Sequence, residues 1–243
     1  MFKHLAIHTS MAFLLSLACL STAHADIVLS GTRVVYKQDD RDITLKMDNR
    51  GTRPVLTQMW IDDGRDDTQP QQMKVPFMVT PPISRVDAGR GQTIRISLLG
   101  NGEAMPKDRE SLFWFNVLEI PSKAAKSNAN VLQLAFRTRI KLFYRPKQLP
   151  GSPADAAKEL KWQLKEKQGH VFAHVINDSA YFISLNKAEV HSGSTSHDIT
   201  TKMIAPKSTA DLIVKDMREI SHGEIHYSNI NDLGGLVENT VHF

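Results

Sequence analysis

Two all-β sandwich domains in tandem are the fold class predicted by three features of the chain. Apolar and β-branched runs of strand length recur between short polar breaks from residue 27 to residue 241. One of them, Asn-Val-Leu-Gln-Leu-Ala-Phe-Arg-Thr-Arg-Ile-Lys-Leu-Phe-Tyr-Arg-Pro at 130–146, is far longer than the rest and alternates strictly. A stiff segment with Pro146, Pro150, Gly151 and Pro153 then divides the runs into two sets.

The chain opens with Lys3, an apolar run at 11–20 and Ala23-His24-Ala25, the layout of a cleavable export signal over 1–25. Ser16-Leu17-Ala18 before Cys19 lacks the leucine expected in a lipoprotein site. The apolar core is too short to span a bilayer, and no later stretch approaches that length. Cleavage leaves 218 residues (243 − 25) and lowers the formal net charge from +4 to +3 by removing Lys3. So weak and dispersed a charge gives no case for nucleic acid. The only cysteine, Cys19, leaves with the signal, so the remainder relies on apolar cores rather than disulfides.

In order, strands are expected at 27–36, 42–47, 55–61, 75–80, 83–86, 93–99 and 111–120, followed by the long one at 131–143. About seven strands with turn signals between them outline an immunoglobulin-like sandwich. Pro81-Pro82 interrupts any ladder there and predicts a split or edge strand. In the long strand Leu132, Leu134, Phe136, Ile140 and Leu142 share one parity with Thr138, whereas Gln133, Arg137, Arg139 and Lys141 take the other. At about 3.3 Å per residue it would extend roughly 43 Å, well beyond an ordinary strand. Domain boundaries are expected at 26–147 and 148–243. Second-domain strands are expected at 160–165, 171–176, 182–190, 198–204, 209–214, 224–229 and 236–241, with a helix over 154–167 as the alternative at its start.

Catalytic patterns are missing. There is no G-x-S-x-G, no thiol after residue 25, and Gly89-Arg90-Gly91 lacks the third glycine of a dinucleotide loop. His170 and His174 on a strand stand about 13 Å apart, beyond the reach of one ion. His222-Gly223-Glu224-Ile225-His226 departs from the zincin order, leaving at most a weak surface pair of His222 and Glu224. Asp62-Asp63-Gly64-Arg65-Asp66-Asp67 reads as a solvated turn rather than a calcium loop. We therefore expect no enzyme, no metal and no cofactor. Arg33 and Lys141 are each ordinary outward charges on their own; brought together in a cleft, they could hold a carboxylate.

The run at 105–122, with Arg109-Glu110-Ser111-Leu112, Trp114, Asn116 and Ile120-Pro121, resembles the signature of periplasmic pilus-assembly chaperones of the chaperone–usher pathway. Asn130-Val131-Leu132-Gln133, residues 140–146, Thr80-Pro81-Pro82 and Asn231-Asp232-Leu233-Gly234-Gly235 are similar to the same family. The resemblance implies two immunoglobulin-like domains at an angle around a cleft. It also implies a periplasmic location and pilus or fimbrial subunits and an outer-membrane usher as partners. Arg33 and Lys141 match the family's anchor for a subunit's terminal carboxylate. Leu132, Leu134 and Phe136 match the residues that complete the subunit's open groove by donor-strand complementation. Glu110, Arg145 and Asp232 match its interdomain salt-bridge cluster. The short connection at 122–129 is similar to the branch that assembles rod-like pili, and the terminal cysteine pair of some members is absent. An exposed apolar edge invites a self-capping dimer of the free protein. The alternative class is an immunoglobulin-like fimbrial subunit or surface adhesin. One difficulty stands: Lys141 is out of phase with Leu132, Leu134 and Phe136, and twist or a bulge would be needed to aim them at one guest.

Overall fold

A computed structural model describes residues 26–100, 102–220 except 122–133, and 222–243. The expected export signal at 1–25, the connection at 122–129 and Leu132 lie outside the described residues.

The first domain contains β1 (Ile27–Leu29), β2 (Arg33–Lys37), β3 (Asp42–Asn49), β4 (Val55–Asp62), β5 (Phe77–Thr80), β6 (Ile83–Val86), β7 (Gly91–Leu98), β8 (Ser111–Pro121) and β9 (Phe136–Arg145). They form two sheets, ordered β1-β3-β7-β5 and β2-β9-β8-β4-β6. The run expected as one strand at 27–36 is thus two. Ser30-Gly31-Thr32 lets the chain leave one sheet and enter the other, where β2 pairs with β9 in parallel. Pro81-Pro82 divides β5 from β6 in the same way, each half belonging to a different sheet. The inward parity of both sheets closes on Tyr36, Met47, Ile94, Ile96, Phe115, Val117 and Leu142, all fully buried. Tyr36, Phe77, Phe113 and Tyr144 join in a ring cluster with edge contacts at 5.0 to 6.4 Å.

In the second domain α1 (Pro153–Lys158) precedes β10 (Lys161–Lys167), β11 (His170–Asn177), β12 (Ile183–Ser192), β13 (Thr195–Asp198), β14 (Met203–Ile204), β15 (Ser208–Ile213), β16 (Glu224–Ile230) and β17 (Leu236–His242). Both expectations for 154–167 therefore hold in part. Ser152 caps α1 by accepting from the Asp155 N–H, Pro153 occupies its first turn, and the period-two pattern takes over at Lys161. Sheets β10-β11-β15 and β13-β12-β16-β17 enclose a second core around Val171, Ala173, Val175, Val190, Ile225 and Tyr227. The strand expected at 198–204 is instead two short pieces, β13 and β14, both paired to β12.

Candidate functional site: the open edge of the long strand

β9 is shorter at its start than the alternation predicted. Leu134 and Ala135 belong to no strand, and the ladder begins where Phe136 meets Glu119 of β8. Beyond Ile120 the next position β8 could offer is Pro121, which has no N–H to donate. At its other end β9 runs on to Arg145, two residues past the expected limit.

The two sides of β9 are used unequally. β8 pairs with it from Phe136 to Tyr144, but β2 covers only Lys141 to Arg145. Among the described residues, the edge of Phe136–Ile140 away from β8 has no strand beside it. At this open stretch Leu134 is 58% exposed and Phe136 42% exposed. Single exposed apolar residues are ordinary; here they sit on an unpaired strand edge, which is a template for another chain.

β2 takes over the edge at Arg33, whose register partner is Lys141. Both side chains are half-buried where the two domains meet. The Arg33 guanidinium donates from Nη1 to the Ile230 carbonyl at 2.7 Å, and its Nε is buried with no hydrogen-bond partner. Lys141 Nζ donates to Ser184 Oγ at 2.8 Å. Neither cation makes an ion pair among the described residues. Burial lowers the Arg33 pKa from its ordinary value despite the attraction of Asp232. Burial, and then the charge of Arg33, lowers that of Lys141. A carboxylate would relieve both effects at once.

The register of β9 on β8 is unbroken, so no bulge reconciles Lys141 with the apolar parity. Ile140, Leu142 and Tyr144 turn into the first core, and Phe136 extends their face. Arg137, Arg139, Lys141, Phe143 and Arg145 occupy the other. Phe143 meets Phe182 of the second domain with ring centroids 5.7 Å apart.

Glu110, Arg145 and Asp232 form one ion-pair cluster across the junction. Arg145 Nε donates to Glu110 Oε1 at 2.7 Å, and Nη1 and Nη2 donate to the two Asp232 oxygens at 2.8 and 3.1 Å. The second Glu110 oxygen accepts from the Phe182 N–H at 2.8 Å. Burial pushes the Glu110 carboxyl up against the pull of Arg145 and that amide. For Arg145, burial opposes the charge, but the bonds from Asp232 and the nearby Glu110 hold its pKa above the usual value. Asp232 is presented by a tight turn in which Asn231 Oδ1 accepts from the N–H groups of Leu233 and Gly235. Gly234 lies at φ +85, and a Cβ there would stand 2.9 Å from Thr32 Oγ1, so this turn needs glycine to close on the first domain.

A further cluster escaped the sequence reading. Asp62 is not part of a solvated turn; it ends β4 and is fully buried. Its oxygens accept from Arg139 at 2.5 and 3.1 Å, Arg137 at 3.3 Å, Asn116 at 2.8 Å and the Gly64 N–H at 2.8 Å. Burial works against the charge, but those bonds outweigh it and leave the carboxyl below its ordinary value. Arg139 lies over the Trp114 ring at 4.2 Å and Arg137 over Trp60 at 5.0 Å. The signal in the sequence is Arg-x-Arg on the polar parity of the long strand, with Trp114 on the adjacent β8 and Trp60 on β4 beyond it.

The histidine pairs singled out in the sequence do not come together among the described residues. His174 pairs with Asp211 at 2.6 Å, away from His170, and Glu224 engages His226 and His242 rather than His222. No group of three ligating side chains stands in metal-binding arrangement among the described residues.

Both domains match known proteins. The description "Pili and flagellar-assembly chaperone, PapD N-terminal domain" matches residues 26–150, and "Pili assembly chaperone PapD, C-terminal domain" matches 155–241. The probable fimbrial chaperone YadV of Escherichia coli K12 is 43% identical over 234 residues, covering 95% of each chain. The chaperone protein FimB/FhaD of Bordetella pertussis is 43% identical over 228 residues, covering 93% of this chain and 90% of its own. Among solved structures, a YadV chaperone superposes with a TM-score of 0.79 at 40% identity, over 90% of this chain and all of its own. The SafB chaperone of Salmonella enterica, solved with the SafA pilin, gives a TM-score of 0.75 at 27% identity, over 92% of this chain and 99% of that one. With both of its domains matched and close relatives along nearly its whole length, the chain belongs to the PapD family of pilus-assembly chaperones.

Proposed function

We propose that this chaperone works in the periplasm, exported by residues 1–25, and lends the open edge of β9 to a fimbrial subunit that lacks a strand. The observation that carries the reading is the pair of half-buried cations, Arg33 and Lys141, side by side where that edge stops. A guest strand laid along Phe136–Ile140 continues the line of β2 and ends against Arg33. Its terminal carboxylate then lies in the plane of the sheet, within reach of both cations, while Phe136 and Leu134 project from one face into the guest's groove. The opposite parities of Lys141 and Phe136 are compatible on this view, because the anchor grips the end of the guest chain and the apolar residues fill its body. Strand addition supplies ladder hydrogen bonds and alternate side chains supply pocket contacts. Burying Leu134 and Phe136 stabilises the complex by about 1.5–3 kcal/mol each before ordering costs are subtracted. Leu132 would extend the same series. The cluster of Glu110, Arg145 and Asp232 sets the angle between the domains, and an outer-membrane usher receives the complex. The role is binding, not catalysis. Family membership favours a chaperone over the alternative of a structural subunit or adhesin. Arg33→Ala and Lys141→Ala test the anchor by recovery of fimbrial subunit from the periplasm. Each variant should fold and yield little subunit; a normal yield from either sinks the anchor.

A further inference from the structure

The open edge is held in shape from behind. β9 beyond Ile140 is flanked by β2, but from Phe136 to Ile140 β8 is the one strand paired with it among the described residues. A strand end with one neighbour frays, and a frayed edge must be ordered again before it can pair with a guest. At this stretch, and on the face away from the core, stand Arg137 and Arg139. Both converge on Asp62, which lies two strands away at the end of β4. Arg137 also donates from Nη1 to the Asp66 carbonyl at 2.6 Å and from Nε to Asn116 at 2.9 Å, so the loop after β4 is tied to the same point. The tryptophans beneath the two guanidiniums fill the space across β8 and β4.

We propose that Asp62 is a positioning residue for the donor edge: by gripping Arg137 and Arg139, it keeps Phe136–Ile140 extended before a guest arrives. The inference rests on the donor-strand reading above. Its physical basis is the buried carboxylate itself. Asp62 is fully buried, so each arginine that leaves removes part of what offsets its charge, and with both gone only Asn116 and the Gly64 N–H would remain. The strand therefore leaves β8 at that point only at the expense of the whole cluster. A plain surface ion pair would impose no such penalty. Nor does the cluster touch the anchor, since Arg33 and Lys141 bond to the second domain instead.

The test is hydrogen exchange on the free, full-length protein, joined to binding kinetics. In Asp62→Asn, the amides of Phe136–Ile140 that pair with β8 should exchange at least about tenfold faster, with those of Lys141–Arg145 unchanged. The binding probe is a synthetic peptide of alternating valine and threonine ending in a free carboxylate, with its C-terminal amide as control. Asp62→Asn should slow association of the acid while preserving the preference for acid over amide, which belongs to the anchor. Unchanged exchange at Phe136–Ile140, or faster exchange with unaltered association, overturns the proposal. Failure of the wild-type protein to bind the peptide counts against the donor-strand reading and leaves the exchange result to decide the clamp. If Asp62→Asn does not fold, Arg137→Gln removes the outer arm while leaving Arg139 on Asp62. The same local loss of protection is expected, and its absence overturns the proposal.

Discussion

Three substitutions at the domain junction should have very unequal effects, although all belong to one ion-pair cluster. The Arg145 side chain is 14% exposed and that of Glu110 only 2%, whereas that of Asp232 is 38% exposed. Arg145→Met leaves a buried Glu110 carboxylate whose remaining partner is the Phe182 N–H. Losing one member of a buried pair costs about 3–5 kcal/mol. Asp232→Asn takes away an exposed charge and leaves Arg145 on Glu110, so after allowance for solvent screening the loss is about 0.5–1 kcal/mol. Adding Glu110→Gln to Arg145→Met removes the stranded charge and should restore part of the loss. Urea unfolding can be followed by tryptophan fluorescence, because Trp60 and Trp114 report on the first domain and Trp162 on the second. The expected order is Arg145→Met most destabilised, the double variant intermediate and Asp232→Asn closest to wild type. Small-angle scattering of the same proteins reads the interdomain angle. Equal losses for Arg145→Met and Asp232→Asn, or a further loss on adding Glu110→Gln, would refute the reasoning.

Leu134→Asp changes a residue that is more than half exposed and outside any strand, so stability should move by no more than about 0.5 kcal/mol. Calorimetric titration with a pilin should nonetheless show affinity reduced by about 1.5–3 kcal/mol, and wild-type affinity would remove Leu134 from the donor surface. The carboxylate anchor should also carry a pH signature. Because burial and Arg33 lower the Lys141 pKa in the free protein, Lys141 loses its proton below its ordinary 10.5, and a bound carboxylate draws the proton back. Guest affinity is then full below the lowered value and declines as pH rises through it. Over the same window the free fold gains stability, since its folded lysine binds protons less readily than the unfolded one. Lys141→Arg, which stays charged, should flatten the binding profile; a wild-type profile flat up to pH 10.5 would contradict the anchor's electrostatics.

Strand positions were largely legible because period-two alternation and turn residues report them directly. Pro81-Pro82 announced the division of β5 from β6, for proline cannot donate to a ladder. The break at Ser30-Gly31-Thr32 was hidden, since apolar residues run on both sides and only the partner strands distinguish β1 from β2. Asp62 was misread for a related reason: Asp-Asp-Gly has the composition of a turn, and nothing local reveals two arginines arriving from β9. The meeting of Arg33 with Lys141 is likewise a fact of topology. The opposite parities of Lys141 and Phe136 conflict only if both must aim at one point; on the proposed reading the edge offers a plane as well as two faces. What local pattern encodes was readable; what depends on distant segments converging was not.

On the proposed anchor, the switch of the first strand between sheets would tie guest capture to the protein's own folding. β1 is stitched to β3 in one sheet and β2 to β9 in the other, with only Ser30-Gly31-Thr32 between them. Arg33 and Lys141 come from opposite ends of the domain's sequence and meet when β2 docks along β9. Before that docking, β9 would lie open past Lys141 and the two cations would stand apart. If they form the anchor proposed above, a molecule caught at that stage would hold a subunit without a defined register. Docking of β2 would then complete the grip along with the sheet.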